Sequence, residues 1–441
     1  MECPEFHPKG KISKLQIRLT QPLETGYGIR TMKLWIKYLL AATIGVLLGI
    51  YALPTGEAFY QNLQFAAQIV LHIGRYALFP LIFFSLAYGT YRLRMDRRVL
   101  AVIGKSFLII AATAALLVGI GTGAVLLIAP ERIPIIVETE AVHTFPSFQE
   151  LIFQLFPNNL FNVFTGSGNI LFPIVFFALF LGLNFSFDKV LSRPVVQVFD
   201  SFTRIFYHIA KFVNEILGFG LIVLSASFVV HLRRTDEIEL YSELLLLIGI
   251  LGVFIIFCIY PILVYFLTGR QNPYKYLYGI MAPSIAAFFS GNSYFSLVPM
   301  IPHIKENLGV PRRIGSITIP LFALFAKAGT AMVSSITFIV ILKSYSSLGI
   351  EFVEIAWIIG ISIAASLLSS TVPGFGVAAA LTALCTLYGR GIENGFLIIY
   401  PILPLLSSFA VFIDMVTVAL GSLVVAHSEE GQKELFPSQF I

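Results

Sequence analysis

The sequence predicts an all-α polytopic membrane protein with about eight transmembrane helices and two re-entrant helical hairpins. Of the 441 residues, 57% are hydrophobic and only 12% are charged, where ordinary soluble domains carry about a quarter charged residues. The mean hydropathy is +0.87. The apolar runs are continuous over about 20 residues or more, the length a helix needs to cross the hydrocarbon, whereas a membrane β-barrel would show alternating segments of about 10 residues. Finally, segments 280–302, 314–342 and 352–388 are long and apolar yet interrupted near their middles by serine, glycine, proline or, at Lys327, a charge.

The formal charge of +5 comes from loop lysines and arginines rather than from a basic domain, so no nucleic-acid partner is expected. Cys3, Cys258 and Cys385 are widely separated, with no CxxC and no His/Cys cluster. Neither a disulfide framework, a metal site nor a cofactor is expected from them.

In chain order, residues 1–32 are polar and mixed, with no small-residue cleavage site after the first span, and read as a cytoplasmic tail rather than a signal peptide. The first span covers about 34–53 and the second about 67–89. The loop between them has no lysine or arginine, while the next connection, Tyr91-Arg92-Leu93-Arg94-Met95-Asp96-Arg97-Arg98, is densely basic. The positive-inside rule places that connection in the cytoplasm, and with it both termini, in a cell (inner or plasma) membrane. Span three, about 102–128, leads to a Glu-containing loop. Asn158, Asn159, Gly166, Gly168 and Asn169 interrupt the region 151–187, expected as a multi-piece span four. Its irregular half should face protein, because unpaired backbone is not tolerated against lipid. Span five, about 199–230, carries Arg204, His208, Lys211, Asn214 and Glu215 in its first half, which suits entry through the cytoplasmic interface with snorkelling side chains; a proton relay through His208 and Glu215 is the alternative. Span six, about 244–267, is uniformly apolar.

Segment 280–302 has basic flanks on both sides, Arg270 and Lys275 before it and Lys305 to Arg313 after it. A full crossing would strand one flank outside, so a hairpin entering and leaving on the cytoplasmic face is expected. The span 314–342 then runs outward, 352–388 forms a second hairpin from the outside, and a last span, about 396–427, returns to a charged tail, 429–441. Each half of this region reads hairpin, then long helix. Paired interrupted segments in corresponding positions mark an inverted-repeat transporter with its site between the halves; incidental glycine, proline and serine within plain helices is the competing reading.

A lysine near the centre of a span costs roughly 2.5 to 3.5 kcal/mol even on the lenient insertion scale, and Asp414 in the last apolar stretch is the natural group to offset Lys327. Hairpin tips free backbone N–H and C=O groups, and half-helix N-termini present partial positive charge to anionic groups. Candidate substrate-binding residues at the tips are Ser293, Tyr294 and Ser296, then Ser370, Thr371, Val372, Pro373 and Gly374, with Ser369 adding a further hydroxyl to the cradle and Gly376, like Gly374, allowing close approach to a ligand. Thr330 lies three residues beyond Lys327 and Thr417 three beyond Asp414, so each long helix shows a charge and a hydroxyl on one side. A structural Lys327–Asp414 pair and a lysine that contacts substrate or replaces a cation both remain open.

An ordered set of motifs resembles the dicarboxylate/amino acid:cation symporters, the glutamate-transporter-like family, over about 34–430: PLIFFSL-YG, NNLFNVF followed by ILFPIVFFALFLGL, a serine-rich tip with LVP, ITIPLFA, GTA, STVPGFG and GSLVVAHSE. The resemblance implies a homotrimer and an elevator mechanism. The scaffold would be about 34–90 and 151–231, and the transport region about 101–129 and 241–428, within a single unit 33–441. The departures are chemical. Where the family carries Asn-Met-Asp-Gly-Thr, whose first three residues take part in binding sodium, this chain has Ala326-Lys327-Ala328-Gly329-Thr330. With Gly421 set on the family's corresponding glycine, Ser407 falls where an aspartate binds the substrate amino group, and Ala410 where an arginine binds an acidic side chain. Asp414 falls where an asparagine binds the substrate carboxylate, and Val418 where an aspartate binds sodium. A shifted register would put Asp414 on the amino-group aspartate but needs a gap inside the helix.

Hard cations need several oxygen ligands. With those gone and a fixed positive group present, the expectation is a secondary transporter of a small organic solute, an amino acid or carboxylate, in which Lys327 stands in for a coupling cation or protons couple through Lys327 or Asp414. The lost arginine argues against acidic side chains, because their planar bidentate partner is missing. The alternatives are a transport-inactive binding or sensor paralogue and an anion-conducting channel of the same fold. No Ser/His dyad, HExxH or facing aspartate pair suggests an enzyme.

Overall fold

The computed structural model describes residues 33–51, 56–134, 153, 159, 162–165, 170–235, 238–269, 271–345, 350–370, 373–430 and 440. Among these the regular structure is entirely helical, and seven helical stretches are long and apolar enough to span a membrane. The expected tail 1–32, the loop after span three and most of the irregular half of span four lie outside the described residues.

Helix α1 (Leu34–Tyr51) runs against the long α6 (Lys189–Arg234). Gly45 makes the approach possible, since a Cβ there would lie 1.9 Å from Ser225 Oγ and 2.3 Å from the Ile222 carbonyl oxygen. The Tyr38 hydroxyl donates to Asn214 Oδ1 (2.6 Å), fixing the register of the pair. The second span is two helices, α2 (Glu57–Arg75) and α3 (Leu78–Met95), meeting at a turn over Tyr76 and Ala77. Pro80 accounts for the break: it has no N–H to give the Tyr76 carbonyl, and its ring crowds that position. Helix α4 (Val99–Ile128) follows, then the apolar α5 (Leu171–Asn184), the regular half of the expected span four. Helix α6 starts ten residues before the expected Phe199 because Asp188 caps it, accepting from the Val190 and Leu191 amides. Span six is α7 (Ile238–Leu267), with one π turn at Ile255–Ile259.

After the short α8 (Pro273–Gly279), the expected hairpins stand as helix–turn–helix units. The first joins α9 (Met281–Ser290) to α10 (Ser293–Glu306), and Asn307 Nδ2 ties its base to the Gly279 carbonyl (2.7 Å). Next come α11 (Arg312–Phe325) and α12 (Ala328–Tyr345), separated by the break at Ala326 and Lys327. The second hairpin joins α13 (Phe352–Ser366), through a 3-10 turn at Leu367–Ser370, to α14 (Gly376–Tyr388). At its base Arg390 Nη1 (2.7 Å) and the Tyr388 hydroxyl (3.1 Å) both donate to Glu354. A 3-10 segment, Gly395–Ile402, leads into α15 (Leu403–Glu430).

Burial separates the elements. In the α11–α12 span 94% of the apolar window is covered by protein, against 28 to 56% in the other spans. The latter leave apolar side chains such as Leu39, Ile44 and Leu47 of α1, Leu108 of α4 and Ile250 of α7 outward-facing. Bands of this extent call for lipid as their solvent. Two polar contacts hold the turn between α3 and α4: Asp96 pairs with Arg313 of α11 (3.2 Å), and Arg98 donates to the Glu429 carbonyl of α15 (3.0 Å), beside a Lys105–Glu429 ion pair (2.5 Å).

Candidate functional site

The most buried part of the chain is where the backbone is least regular. At the first tip, Gly291 takes a positive φ of 55° and Asn292 caps α10, its Oδ1 accepting from the Tyr294 and Phe295 amides (3.2 Å each). The same side chain crosses to the second tip, donating from Nδ2 to the Pro373 carbonyl (3.2 Å). A second tie is Tyr294, whose hydroxyl donates to the Ser370 carbonyl and accepts from the Leu171 amide of α5 (3.0 Å). Ser370 in turn donates to the Leu324 carbonyl (2.5 Å). The tips thus meet each other and the end of α11 through backbone carbonyls, the groups that a hairpin turn leaves without helical partners.

The break between α11 and α12 brings in the charges. Lys327 is buried and its ammonium donates to Ser293 Oγ (3.4 Å) at the first tip. Asp414 on α15, fully buried, faces the start of α12: Oδ1 accepts from the Gly329 (2.7 Å) and Thr330 (3.2 Å) amides, and Oδ2 from the Thr330 hydroxyl (2.7 Å). A carboxylate borrowed from a neighbouring helix does what an N-cap residue would do, and the positive end of α12 stabilises it. The hydrogen bond of Lys327 therefore goes to the hairpin and those of Asp414 to the helix end. The carbonyls of Leu324 and Phe325, freed by the break, already accept from Ser370 Oγ and from the Lys327 amide (3.0 Å).

These elements enclose a cavity of about 10 Å³, room for about one water molecule. Of the residues expected from the sequence, Ser293, Thr330, Gly374, Ser407 and Ala410 line it. Tyr294, Ser296 and Ser370 turn their hydroxyls to protein partners around it, Ser296 to the Asn292 carbonyl (2.8 Å). Pro373 contributes its carbonyl to the tie between tips. Lys327 and Asp414 stand behind the lining through Ser293 and Thr330. Thr371 and Val372 lie outside the described residues. Ser369 and Gly376, read from the sequence as part of the hydroxyl- and glycine-rich cradle at the second tip, also line the cavity, as do Val377 and Val411, which the sequence reading does not single out. Ser369 Oγ is buried and without a hydrogen-bond partner among the described residues, the state of a hydroxyl waiting for a ligand or water. The role of Asn292 is not anticipated from the sequence, although Ser-Gly-Asn-Ser between two apolar runs is itself a capping signal. Among the described residues no charged side chain lines the cavity.

A model of the Sodium:dicarboxylate symporter family matches residues 34–428. Among similar curated proteins, Neutral amino acid transporter B(0) of Oryctolagus cuniculus is 24% identical over 391 residues, covering 79% of this chain and 72% of that protein. Neutral amino acid transporter B(0) of Bos taurus is 24% identical over 399 residues, with 79% and 72% covered. Neutral amino acid transporter A of Homo sapiens is 26% identical over 335 residues, covering 66% of this chain and 61% of that protein.

Proposed function

We propose that this chain, which belongs to the sodium:dicarboxylate symporter family and is a membrane transporter rather than an enzyme, carries small amino acids with uncharged side chains without sodium coupling. The coarser reading, a secondary transporter of amino acids or dicarboxylates, rests on the family match and the relatives' names. The narrower one rests on a single observation: a cavity between two hairpin tips lined by Ser293, Thr330, Ser369 and Ser407 and, among the described residues, by no charged side chain, with Lys327 bonded to its wall. Hydroxyls can serve a substrate's ammonium and carboxylate by hydrogen bonds. Among the described residues no guanidinium lines the cavity to receive an acidic side chain.

Lys327 is the resident cation in this reading. Its charge is fixed to the backbone, so the field that a bound sodium ion would supply is present before substrate arrives, with protons through Lys327 or Asp414 as the other possible coupling. At about 10 Å³ the cavity admits a solute larger than water only when the ties from Asn292 to Pro373 and from Tyr294 to Ser370 part. The hairpins would be re-entrant. With α4, α7, α11, α12 and α15 they would slide as an elevator past a scaffold of α1, α2, α3, α5 and α6, in a homotrimer.

Exchange of radiolabelled serine or alanine in proteoliposomes tests this. Uptake should be the same in sodium and in potassium media, and Lys327→Met should lower it strongly while the protein still purifies as a folded species. A steep rise with external sodium would sink the proposal. Ligand-dependent thermal stabilisation without any exchange would instead identify a transport-inactive binding protein.

A further inference from the structure

A second cavity, about 360 Å³, lies between α3, α6, α10 and α11, away from the hairpin tips. Its volume is that of a small-molecule site. The walls are apolar, with Leu81 and Ile82 from α3, Ile301 and Ile304 from α10, and Ile319 from α11. The polar lining is cationic: Arg204 and Lys211 on α6, Lys305 at the end of α10 and Arg312 at the start of α11. Two carboxylates stand among these four cations. Asp200 accepts from Arg204 (3.1 Å) and forms an ion pair with Arg312 (2.9 Å), and Glu306 forms an ion pair with Lys211 (2.5 Å) and accepts from the Tyr207 hydroxyl (2.6 Å). Positive charge is therefore in surplus. Lys305 carries part of that surplus, its Nζ standing 3.8 Å from the centroid of the Tyr207 ring. An aromatic face holds an ammonium in place without neutralising it.

We infer that this cavity takes an anionic phospholipid, with the phosphate against Lys305 and Arg312 and an acyl chain along the apolar wall. Apolar walls alone would accept any lipid tail, and basic side chains alone any small anion. Joined in one cavity of a membrane protein, they select an amphiphile with a negative head. The location agrees with this choice. Arg312 also faces the Tyr88 ring (5.2 Å), and the adjacent Arg313 pairs with Asp96 in the basic turn after α3. The cavity is thus at the same end of the molecule as the densest run of arginine, the end that favours an anionic leaflet. A lipid seated there bridges α3 and α6 to α10 and α11 and holds them in the arrangement of this structure.

The experiment is thermal melting of the purified full chain in a neutral detergent, titrated with phosphatidylglycerol, phosphatidylcholine or inorganic phosphate, for the wild type, Lys305→Gln and Ile301→Trp. Phosphatidylglycerol alone should raise the melting temperature saturably. Lys305→Gln should weaken its apparent affinity about fivefold, and Ile301→Trp, which fills the cavity, should abolish the rise. An equal rise with phosphatidylcholine means an ordinary lipid annulus, and an equal rise with inorganic phosphate means a small-anion site only; either overturns the inference. So does an unchanged phosphatidylglycerol titration in Lys305→Gln, an exposed position that decides the matter even where Ile301→Trp does not fold.

Discussion

The two hairpin-and-helix pairs of the carboxy-terminal half share an order of elements and differ in where the backbone is interrupted. In the first pair the tip is short, Gly291 and Asn292, and the helix after it is broken at Ala326 and Lys327. In the second, a 3-10 turn and Gly374, at a φ of 99°, make a longer tip, and α15 continues unbroken past Asp414. The pairs complete one another across this difference. The broken helix exposes the amides of Gly329 and Thr330, and the unbroken one delivers the carboxylate that satisfies them. The long tip exposes the Pro373 carbonyl, and the short one delivers the Asn292 amide. An internal repeat with identical halves would leave both sets of backbone groups unpaired. The asymmetry is what closes the site.

The largest test of this complementarity is Asp414→Ala. It removes the borrowed cap and leaves Lys327 buried without its counter-charge, and should lower stability by about 3–5 kcal/mol, read as a large drop in melting temperature in detergent. A double variant, Lys327→Met with Asp414→Leu, should recover part of that loss; no recovery would show that the two charges are energetically independent. Gly374→Ala comes next. Its positive φ and an added Cβ 3.1 Å from Asn292 Nδ2 should cost roughly 1–3 kcal/mol and loosen the tips, measured as faster hydrogen exchange there. Asn292→Ala removes a cap and the cross-tip bond and should cost about 1 kcal/mol. The smallest effect is expected for Ser369→Ala, within about 0.5 kcal/mol on melting, because among the described residues its hydroxyl has no protein partner to lose. Its effect should show in substrate affinity instead, and an unchanged affinity would remove Ser369 from the site.

The sequence made the spans, both hairpins and the break at Lys327 legible, because each depends on local composition: an apolar length, a cluster of serine and glycine, a charge where none is tolerated. Less could be read where one element satisfies another. That Asp414 bonds the start of α12 rather than Lys327 depends on how α15 lies against α12, which no spacing along the chain encodes. Tyr294 was read as a substrate residue from its place at a serine-rich tip, yet its hydroxyl is engaged by Leu171 and Ser370, each more than 70 residues away in sequence. The early start of α6 could have been read from Asp188, whose capping geometry is local, and the division of the second span from Pro80.

The turn between α3 and α4 is gripped from two directions, by Arg313 of α11 through Asp96 and by the end of α15 through Arg98 and Lys105. If α4 swings with α15 while α3 stays in place, this three-residue joint is the hinge, and its most exposed fastening, the Asp96–Arg313 ion pair, is one that salt screens. The speed of the swing then responds to ionic strength even where the bound solute and its affinity do not, so a dependence of turnover on inert salt would report on mechanics at the membrane surface rather than on chemistry at the centre.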